Sequence, residues 1–288
     1  MAIFLNEGAG SARTDRVRRA VDLARRALDA DLHVTATRNR DELTAWLTGR
    51  IAGYDTAIIA GGDGSLGVAY NVASGRPGLT LGYLPAGFGN ATSHLLRLPR
   101  EPEAIAAILA AGDARPVDLV EVDGRLALFA GAGWDALVAA RYAAAGARRL
   151  PGWAVAVARS APDLWRRPLV EVHADGWLVH RGAIELVVLG TTPFYGRGLQ
   201  VNPGARTDAG RVRLRVYPGP APRFLLEAGR WILRRSPRAK PVDATTVEIH
   251  ALDERGLPLQ ADGDVVGVRQ RWSFAIRPQA VRLIGRWG

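Results

Sequence analysis

The sequence predicts an α/β half built on a doubly wound parallel sheet, followed by a mainly-β half. Short apolar segments alternate with amphipathic helical segments up to about residue 115, a pattern typical of parallel strands joined by helical crossovers. Beyond it strand-like segments dominate, and Asp123-Gly124 and Asp175-Gly176 are hairpin signals. We therefore expect an α/β domain at 1–122 and a β-rich domain at 123–275, with the hydrophobic strand of 276–288 returning to the first domain.

The first half reads as strands and helices in alternation. Residues 2–6 form an apolar strand, and 15–30 carry apolar side chains at helical spacing between arginines. The helix predicted next begins at Asp41, which we expect to cap it. The remaining predicted strands are 32–37, 56–60 and 79–84, and the remaining predicted helices are 41–50, 66–74, 90–97 and 103–111.

The second half is richer in strands. A hairpin is expected across Asp123-Gly124, and two helical segments, 135–146 and 152–165, come before the main run of strands. One helix, 222–235, interrupts that run. An antiparallel sandwich or a mixed sheet is the expected outcome. The predicted strands are 117–122, 126–130, 169–173, 177–180, 184–189, 211–217, 245–251, 269–276 and 280–284.

Composition excludes several functional classes. The chain has no cysteine, which excludes disulfides, thiolate zinc sites and cysteine nucleophiles. No zinc finger, RNP-like motif or basic tail is present, so specific nucleic-acid binding is not expected. The positive charge behind the net +10 is almost all arginine, and it reflects genomic base composition, attraction to anionic surfaces such as lipid head groups or nucleic acid, or a mixture of the two. Without a signal peptide or an apolar run of ~18 residues, we expect a cytoplasmic protein, in peripheral contact with the inner membrane face.

Two glycine-rich turns follow successive predicted strands of the first half. They are Gly61-Gly62-Asp63-Gly64-Ser65-Leu66-Gly67 and Pro85-Ala86-Gly87-Phe88-Gly89-Asn90. A strand, a glycine turn and a helix start direct backbone N–H groups at one anion, and glycine lets a phosphate approach closely. Neither turn is a Walker A loop or a dinucleotide fingerprint. Together they predict a nucleotide cleft at the carboxyl edge of the sheet, where Asn6 also ends a strand.

These turns and three later motifs resemble the diacylglycerol kinase catalytic family, which includes sphingosine kinases and YegS-like bacterial lipid kinases. The family signatures are GGDGT-x-x-E, P-x-G-T-x-N, G-[FW]-D-A, a GGG turn followed by P-x-A and D-G, and D-G-E. The similar segments here are GGDGS at 61–65, PAGFGN at 85–90, GWDA at 133–136, GRG at 196–198 with Pro203-x-Ala205, and DGD at 262–264.

The resemblance implies an NAD-kinase-like α/β nucleotide domain, a β-rich sandwich-like second domain, and ATP and Mg²⁺ as cofactors. ATP phosphates would lie on the amides of 61–67, with help from the turn at 87–90. Thr37 matches a family threonine near the nucleotide. The predicted nucleotide-binding residues are Asn6, Thr37, Gly61, Gly62, Asp63, Gly64, Ser65, Leu66, Gly67, Gly87, Phe88, Gly89 and Asn90.

The transfer needs a base for the acceptor hydroxyl. By resemblance Asp262 is the first candidate and Asp63 the second, with Asp63 otherwise organising Mg²⁺ through water. Asp264 stands in place of the family glutamate and keeps a carboxylate on a shorter arm. A structural Mg²⁺ site is predicted at Asp208, because Ala209 stands where the family has aspartate. From the residues alone, Asp262-Gly263 is a turn signal.

Departures from the family pattern keep three functions open. Val68 stands at the glutamate position and Phe88 at a threonine position. The first hypothesis is an ATP-dependent lipid kinase acting on diacylglycerol, a sphingoid base or a related lipid. The second is a catalytically weakened nucleotide-binding or regulatory protein, and the third is a kinase of a soluble substrate. For the lipid, segments 150–165 and 224–233 interleave Trp153, Trp165 and Trp231 with arginines, which suits either a membrane interface or packing on the sheet.

Overall fold

The computed structural model describes residues 1–37, 39–76, 78–145 and 150–287, so the last residue of the helix predicted at 135–146 and the last residue of the chain lie outside it. The described chain forms two compact units. Unit 1 comprises Met1–Val117, Gly196–Gly198 and the C-terminal segment from Gln279, and unit 2 comprises Asp118–Tyr195 and Leu199–Pro278.

Unit 1 contains the predicted parallel sheet. The strands Ala2–Asn6, Thr56–Gly61 and Thr80–Pro85 are buried along almost their whole length, which explains why they are continuous apolar runs, whereas the edge strand Asp31–Thr35 is partly exposed. The order is β4-β3-β1-β2, and the end of β15 pairs in parallel with β4 through Arg282 and Leu283. Strand β2 ends two residues earlier than predicted. The strands are β1 Ala2–Asn6, β2 Asp31–Thr35, β3 Thr56–Gly61, β4 Thr80–Pro85 and, shared with unit 2, β15 Arg271–Ile284.

The helices of unit 1 connect these strands. The first helix buries Val17, Ala20, Val21 and Ala24, one apolar face at helical spacing. The second is capped by the Asn39 side chain, which accepts from the amide of Asp41, so the expected self-capping by Asp41 was wrong. The third begins at Asp63, three residues before the predicted start. The helices are α1 Asp15–Leu28, α2 Arg40–Ile51, α3 Asp63–Ser74, α4 Ala91–Leu95 and α5 Pro102–Ala111.

Unit 2 is β-rich, as predicted. Its strand order is β14-β13-β7-β9-β8-β12-β15, with β10 on β9, β11 on β10 and the β5–β6 hairpin in addition. The first half of the long strand β9 pairs with β8, and its second half lies between β7 and β10. The strands are β5 Ala114–Val122, β6 Arg125–Ala127, β7 Phe129–Gly133, β8 Leu169–Ala174, β9 Trp177–Gly190, β10 Val212–Pro218, β11 Pro241–Ala244, β12 Thr246–Ala251, β13 Leu257–Ala261 and β14 Asp264–Arg269.

Both predicted Asp-Gly hairpins of unit 2 are confirmed. Asp123 and Asp175 have φ values of 52° and 48°, and the glycine after each is also left-handed, as a type I′ turn requires. The segments predicted as strands at 269–276 and 280–284 form one strand, β15. Strands β11, β13 and β14 were not predicted at all.

The described residues of unit 2 also form three α-helices. They are α6 Trp134–Ala144, α7 Leu150–Ser160 and α8 Ala221–Ile232, and a 3-10 turn at Ala161–Trp165 follows α7. Helix α8 buries Phe224 and Trp231 against Tyr217 of β10 and Leu164 of the 3-10 turn. No helix in the described residues is long and apolar enough to cross a membrane.

Candidate functional site

The first glycine turn is the start of helix α3. Strand β3 ends at Gly61, Gly62 is the extended N-cap, and helical geometry begins at Asp63. The N-cap has no side chain, and the amides of the first turn, including those of Gly64 and Ser65, have no intrahelical acceptor. The amide of Leu66 donates to the Gly62 carbonyl at 3.1 Å. The available donors are therefore the first-turn amides.

Two predicted phosphate contacts need correction. Leu66 is fully buried and its amide is the first bond of the α3 ladder. Gly67 lies one residue further inside the helix, and its carbonyl accepts from Asn71 Nδ2 at 2.8 Å. Their amides cannot serve a phosphate because helix formation already uses them.

The two glycine turns are packed backbone to backbone. A Cβ added to Gly87 would lie 2.5 Å from the Gly62 Cα, and a Cβ added to Gly61 would lie 2.7 Å from the Ser65 Cβ. Neither distance is tolerable between carbon atoms. Glycine is required here because the two turns meet closely, and their contact fixes the first-turn amides beside the turn at 87–90.

Asn90 organises the second turn from within. Its Oδ1 accepts from the Gly87 amide and from the Tyr83 hydroxyl, both at 2.9 Å, and its Nδ2 donates to the Gly87 carbonyl. Its left-handed φ of 44° is one that asparagine adopts more readily than most residues. Burial, with a further contribution from Asp63, raises the pKa of the Tyr83 hydroxyl, which stays a donor. Asn90 therefore shapes the turn with its side chain.

Asp63 joins the first turn to helix α4. Its two carboxylate oxygens accept from the amides of Ala91 and Thr92, at 3.0 and 3.1 Å. These amides belong to the first turn of α4, so the carboxylate caps that helix. Asp63 therefore has a structural role. The two predicted roles, general base and organiser of Mg²⁺, do not include it.

Asn6 reaches the first turn, whereas Thr37 lies beyond the strand end. Asn6 Nδ2 donates to Ser65 Oγ at 3.2 Å, and its Oδ1 accepts from the Gly8 amide. Thr37 follows β2 by two residues, and its hydroxyl donates to the carbonyl of Asn39 and accepts from its amide. A Cβ on Gly8 would lie 2.4 Å from the Thr37 carbonyl oxygen, which brings Thr37 to the loop after Asn6.

Arg197, for which the sequence predicts no role, lies over the second turn. The Arg197 amide donates to the Gly89 carbonyl at 2.7 Å, and its guanidinium carbon lies 5.0 Å from the centre of the Phe88 ring. Arg197 is exposed and left-handed, with a φ of 61°. Among the described residues its guanidinium has no acidic partner. The structure therefore adds a cation where Phe88 replaces a hydroxyl.

In unit 2, Asp262 is held at the turn between β13 and β14. Its carboxylate accepts from the amides of Leu128 and Phe129 at about 3.1 Å, and its own amide donates to the Phe129 carbonyl. Asp262 and Gly263 are both left-handed, so the turn signal in the sequence was correct. Asp264 begins β14 and is half-buried. The amides orient the Asp262 carboxylate and leave it partly exposed.

A second carboxyl group, Asp135, lies buried beside this turn. Gln260 Nε2 donates to Asp135 Oδ2 at 2.9 Å, and Gln260 Oε1 accepts from the Gly263 amide. Burial raises the pKa of Asp135 to about 7, and Asp135 Oδ1 has no hydrogen-bond partner. Burial, Asp135 and Asp262 all raise the pKa of Tyr195, whose hydroxyl donates to the Ala130 carbonyl. Asp135 belongs to the GWDA motif, but the sequence predicts no role for it.

The Mg²⁺ site predicted at Asp208 lacks a cluster of ligands. Both carboxylate oxygens of Asp208 accept from the Arg206 guanidinium at 2.9 Å, on the protein surface. Asp118 nearby accepts from the Gly210 amide. In the described part of the chain no three His, Asp or Glu side chains are placed to hold a metal ion. Asp208 is therefore engaged in an ion pair with Arg206, and the Mg²⁺ site at this position stays a prediction.

Comparisons with known proteins agree on one family. The model of the family "Diacylglycerol kinase catalytic domain" matches residues 1–122, and that of the "YegS C-terminal NAD kinase beta sandwich-like domain" matches 129–285. Relatives described as "Probable lipid kinase YegS-like" are 30% identical. The Pseudomonas aeruginosa relative aligns over 81% of this chain and 77% of its own, and the Pseudomonas fluorescens relative over 93% and 90%.

Solved structures show the same fold. A diacylglycerol kinase from Bacillus anthracis has a TM-score of 0.74 at 20% identity and covers 99% of this chain and 96% of its own. An NAD kinase from Archaeoglobus fulgidus in complex with ATP has a TM-score of 0.53 at 12% identity, with 98% and 92% covered. The predicted α/β domain followed by a β-sandwich-like domain is confirmed.

Proposed function

The chain belongs to the lipid kinase family that joins a diacylglycerol kinase catalytic domain to a YegS-type C-terminal domain, and we propose that it transfers the γ-phosphate of ATP to a lipid hydroxyl. The observation that carries this proposal is the start of α3, where unsatisfied first-turn amides lie beside a second glycine turn. Such a helix start binds phosphate through its N–H groups and its dipole.

The phosphate site of this proposal contains three kinds of donor. Amides of Gly64 and Ser65 face the anion, Asn6 holds the Ser65 hydroxyl, and Arg197 supplies a full positive charge. A guanidinium suits this task because it stays charged and can bind two phosphate oxygens at once. In this proposal Asp63 and Asn90 keep the two turns in register and do not contact the nucleotide.

Mg²⁺ belongs to the proposal as the ion that accompanies ATP. Such an ion usually keeps water and phosphate ligands and takes only one or two carboxylates from the protein. Bound there, it would neutralise charge on the phosphates during transfer. The carboxylates of Asp63 and Asp208 are already engaged, since Asp63 accepts from two amides and Asp208 accepts from an arginine.

Asp262 is the proposed general base. Its carboxylate is partly exposed, and the amides of Leu128 and Phe129 fix its direction, which a base must have to meet one hydroxyl proton. Asp264, two residues on, keeps a second carboxylate at the same turn. Gln260 and Asp135 support the turn from the buried side and are positioning residues in this scheme.

Diacylglycerol, a sphingoid base or a related lipid is the proposed acceptor. The match to the diacylglycerol kinase catalytic domain and the relatives described as probable lipid kinases support this class. The main alternative function is that of a catalytically weakened nucleotide-binding protein. One observation favours it: Val68, at the position of the family glutamate, is buried in α3 and offers no carboxylate.

The test is transfer of labelled phosphate from ATP to a panel of acceptors in mixed micelles. The panel contains diacylglycerol, a sphingoid base and monoacylglycerol, with NAD and a hexose as soluble acceptors, and each reaction is paired with an ATP-binding measurement. Labelled lipid is the expected product. ATP binding without any labelled product would support the weakened protein, and labelled NAD or hexose alone would refute the lipid acceptor.

A further inference from the structure

Helix α8 has a buried face and an apolar exposed face. Phe224 and Trp231 pack into the cluster formed with Tyr217 and Leu164, so Trp231 is a packing residue. On the outside, four large aliphatic side chains are more than half exposed. They are Leu225 at 52%, Leu226 at 67%, Ile232 at 70% and Leu233 at 66%.

These four side chains form one stripe. Leu225 and Ile232 are seven residues apart, as are Leu226 and Leu233, so both pairs fall on the same side of the helix after two turns. Single exposed aliphatic residues are common, whereas a contiguous exposed group of this kind marks an interaction surface. The stripe therefore predicts a binding partner.

The charges around the stripe are almost all positive. The segment from α8 to Lys240 has one acid, Glu227, which is buried and accepts from the Arg238 amide. Arg230 is partly engaged, donating to the Ser236 carbonyl. The cations of the segment are Arg223, Arg230, Arg234, Arg235, Arg238 and Lys240.

A tryptophan continues this surface. Leu164 of the 3-10 turn lies in the same buried cluster as Phe224 and Trp231, and the next residue, Trp165, is 70% exposed. Tryptophan favours the boundary between water and hydrocarbon, because its ring is apolar and its N–H is polar. Neighbouring Arg166 adds another cation.

We propose that this surface, which we define as Trp165, the α8 stripe and the cations up to Lys240, docks on an anionic lipid bilayer. The stripe would enter the boundary between head groups and acyl chains, and the arginines would meet anionic head groups. A second copy of the chain fits poorly, because its six cations would face six like charges. The inference rests on the proposed function only in that a lipid acceptor is reached at a bilayer.

The test measures vesicle binding without ATP. Sedimentation with vesicles of phosphatidylglycerol and phosphatidylcholine is compared with phosphatidylcholine alone, for the full-length protein and two variants. Leu226→Glu with Ile232→Glu should lower partitioning by at least about a hundredfold, because two aliphatic side chains no longer enter the bilayer. Arg234→Gln with Arg235→Gln should lower it about thirtyfold, and only on the anionic vesicles.

Val268→Glu is the matched control, since Val268 is an exposed aliphatic residue on β14, away from α8 in sequence, and should bind as the wild type. All proteins are also assayed on a short-chain diacylglycerol in solution, where the α8 variants should keep wild-type activity. Equal binding of wild type and α8 variants to anionic vesicles would overturn the proposal. So would a concentration-dependent dimer of the wild type that the α8 variants abolish while vesicle binding is absent. Vesicle binding that the α8 variants lose, together with a wild type that does not phosphorylate the short-chain diacylglycerol, would instead count against the proposed function alone.

Discussion

Asp63 provides the sharpest distinction between a structural and a chemical role. Its carboxylate accepts from two amides at the start of α4, and this contact ties the first glycine turn to the second. In Asp63→Asn one oxygen remains as an acceptor, while the other is replaced by an NH₂ group that faces an amide donor. The variant therefore loses one charge-assisted bond outright and the charge of the other.

The expected cost follows from these two bonds. A hydrogen bond to a charged group contributes about 1.5–3 kcal/mol, and a helix cap about 0.5–2 kcal/mol. Since Asp63 is half-exposed, we expect the free energy of unfolding to fall by about 2 kcal/mol. The melting temperature should fall by several degrees, and the Kd for ATP should rise because the first-turn amides lose their support.

Thermal unfolding and ATP titration measure both effects, with Asp22→Asn as the control. Asp22 is exposed on α1 in the same unit and makes no described hydrogen bond, so its variant removes the same charge without a structural loss. The structural role of Asp63 would be refuted by an Asp63→Asn protein that has lost turnover but keeps the melting temperature and the ATP affinity of the wild type. That result would make Asp63 the base.

Two further predictions concern a pH dependence and a phosphate contact. Burial raises the pKa of Asp135 from 3.8 to about 7, so between these values the folded protein keeps a proton that the unfolded chain releases. Its contribution to stability is therefore complete below pH 3.8 and falls by about 1.4 kcal/mol per pH unit as pH rises towards 7. In urea unfolding at a series of pH values, Asp135→Asn should remove this part of the fall in unfolding free energy with pH. Burial also raises the pKa of Glu185 to about 7, but Glu185 is present in both proteins and contributes equally to each. An identical pH dependence of the unfolding free energy in the two proteins would contradict the burial argument. Arg197→Gly should raise the KM for ATP about tenfold with little change in kcat or melting temperature, because the left-handed φ of 61° suits glycine and only the cation is lost. An unchanged KM would remove Arg197 from the phosphate site, and Arg97→Gly, at another exposed arginine with a left-handed φ of 49°, is the charge-matched control.

The sequence predicts unit 1 well because its information is local. Strands β1, β3 and β4 are short apolar runs that end at polar or glycine residues, and parallel strands buried on both faces read in this way. Strand β13 was missed because it contains Pro258 and Gln260 and pairs with β7, more than a hundred residues earlier in the chain. Its partner β14 is local, across the Asp262-Gly263 turn, whereas no local pattern contains its partner β7.

The residues of the site also divide into those that the local sequence predicts and those that depend on distant contacts. The glycine turns were found because glycine is needed where two backbones meet, and spacing alone reveals them. The capping role of Asp63 was missed because its partners, Ala91 and Thr92, lie 28 and 29 residues later. Asp135 resembles an ordinary acid in the first turn of a helix, and only its burial distinguishes it. The position of Arg197 between two glycines is a sequence signal that could have indicated its place in the site.

The most direct test of the central claim compares phosphate transfer and ATP binding in Asp262→Asn. Asp262 Oδ1 accepts from the amides of both Leu128 and Phe129, so asparagine keeps an oxygen for both and loses the charge and the additional contact of Oδ2. The turn should therefore persist, and the melting temperature should fall less than in Asp63→Asn. Removing a general base lowers kcat by roughly 10²–10⁴-fold. The account predicts such a loss with lipid as acceptor and a Kd for ATP within about twofold of the wild type. Undiminished labelling of lipid by Asp262→Asn would contradict it.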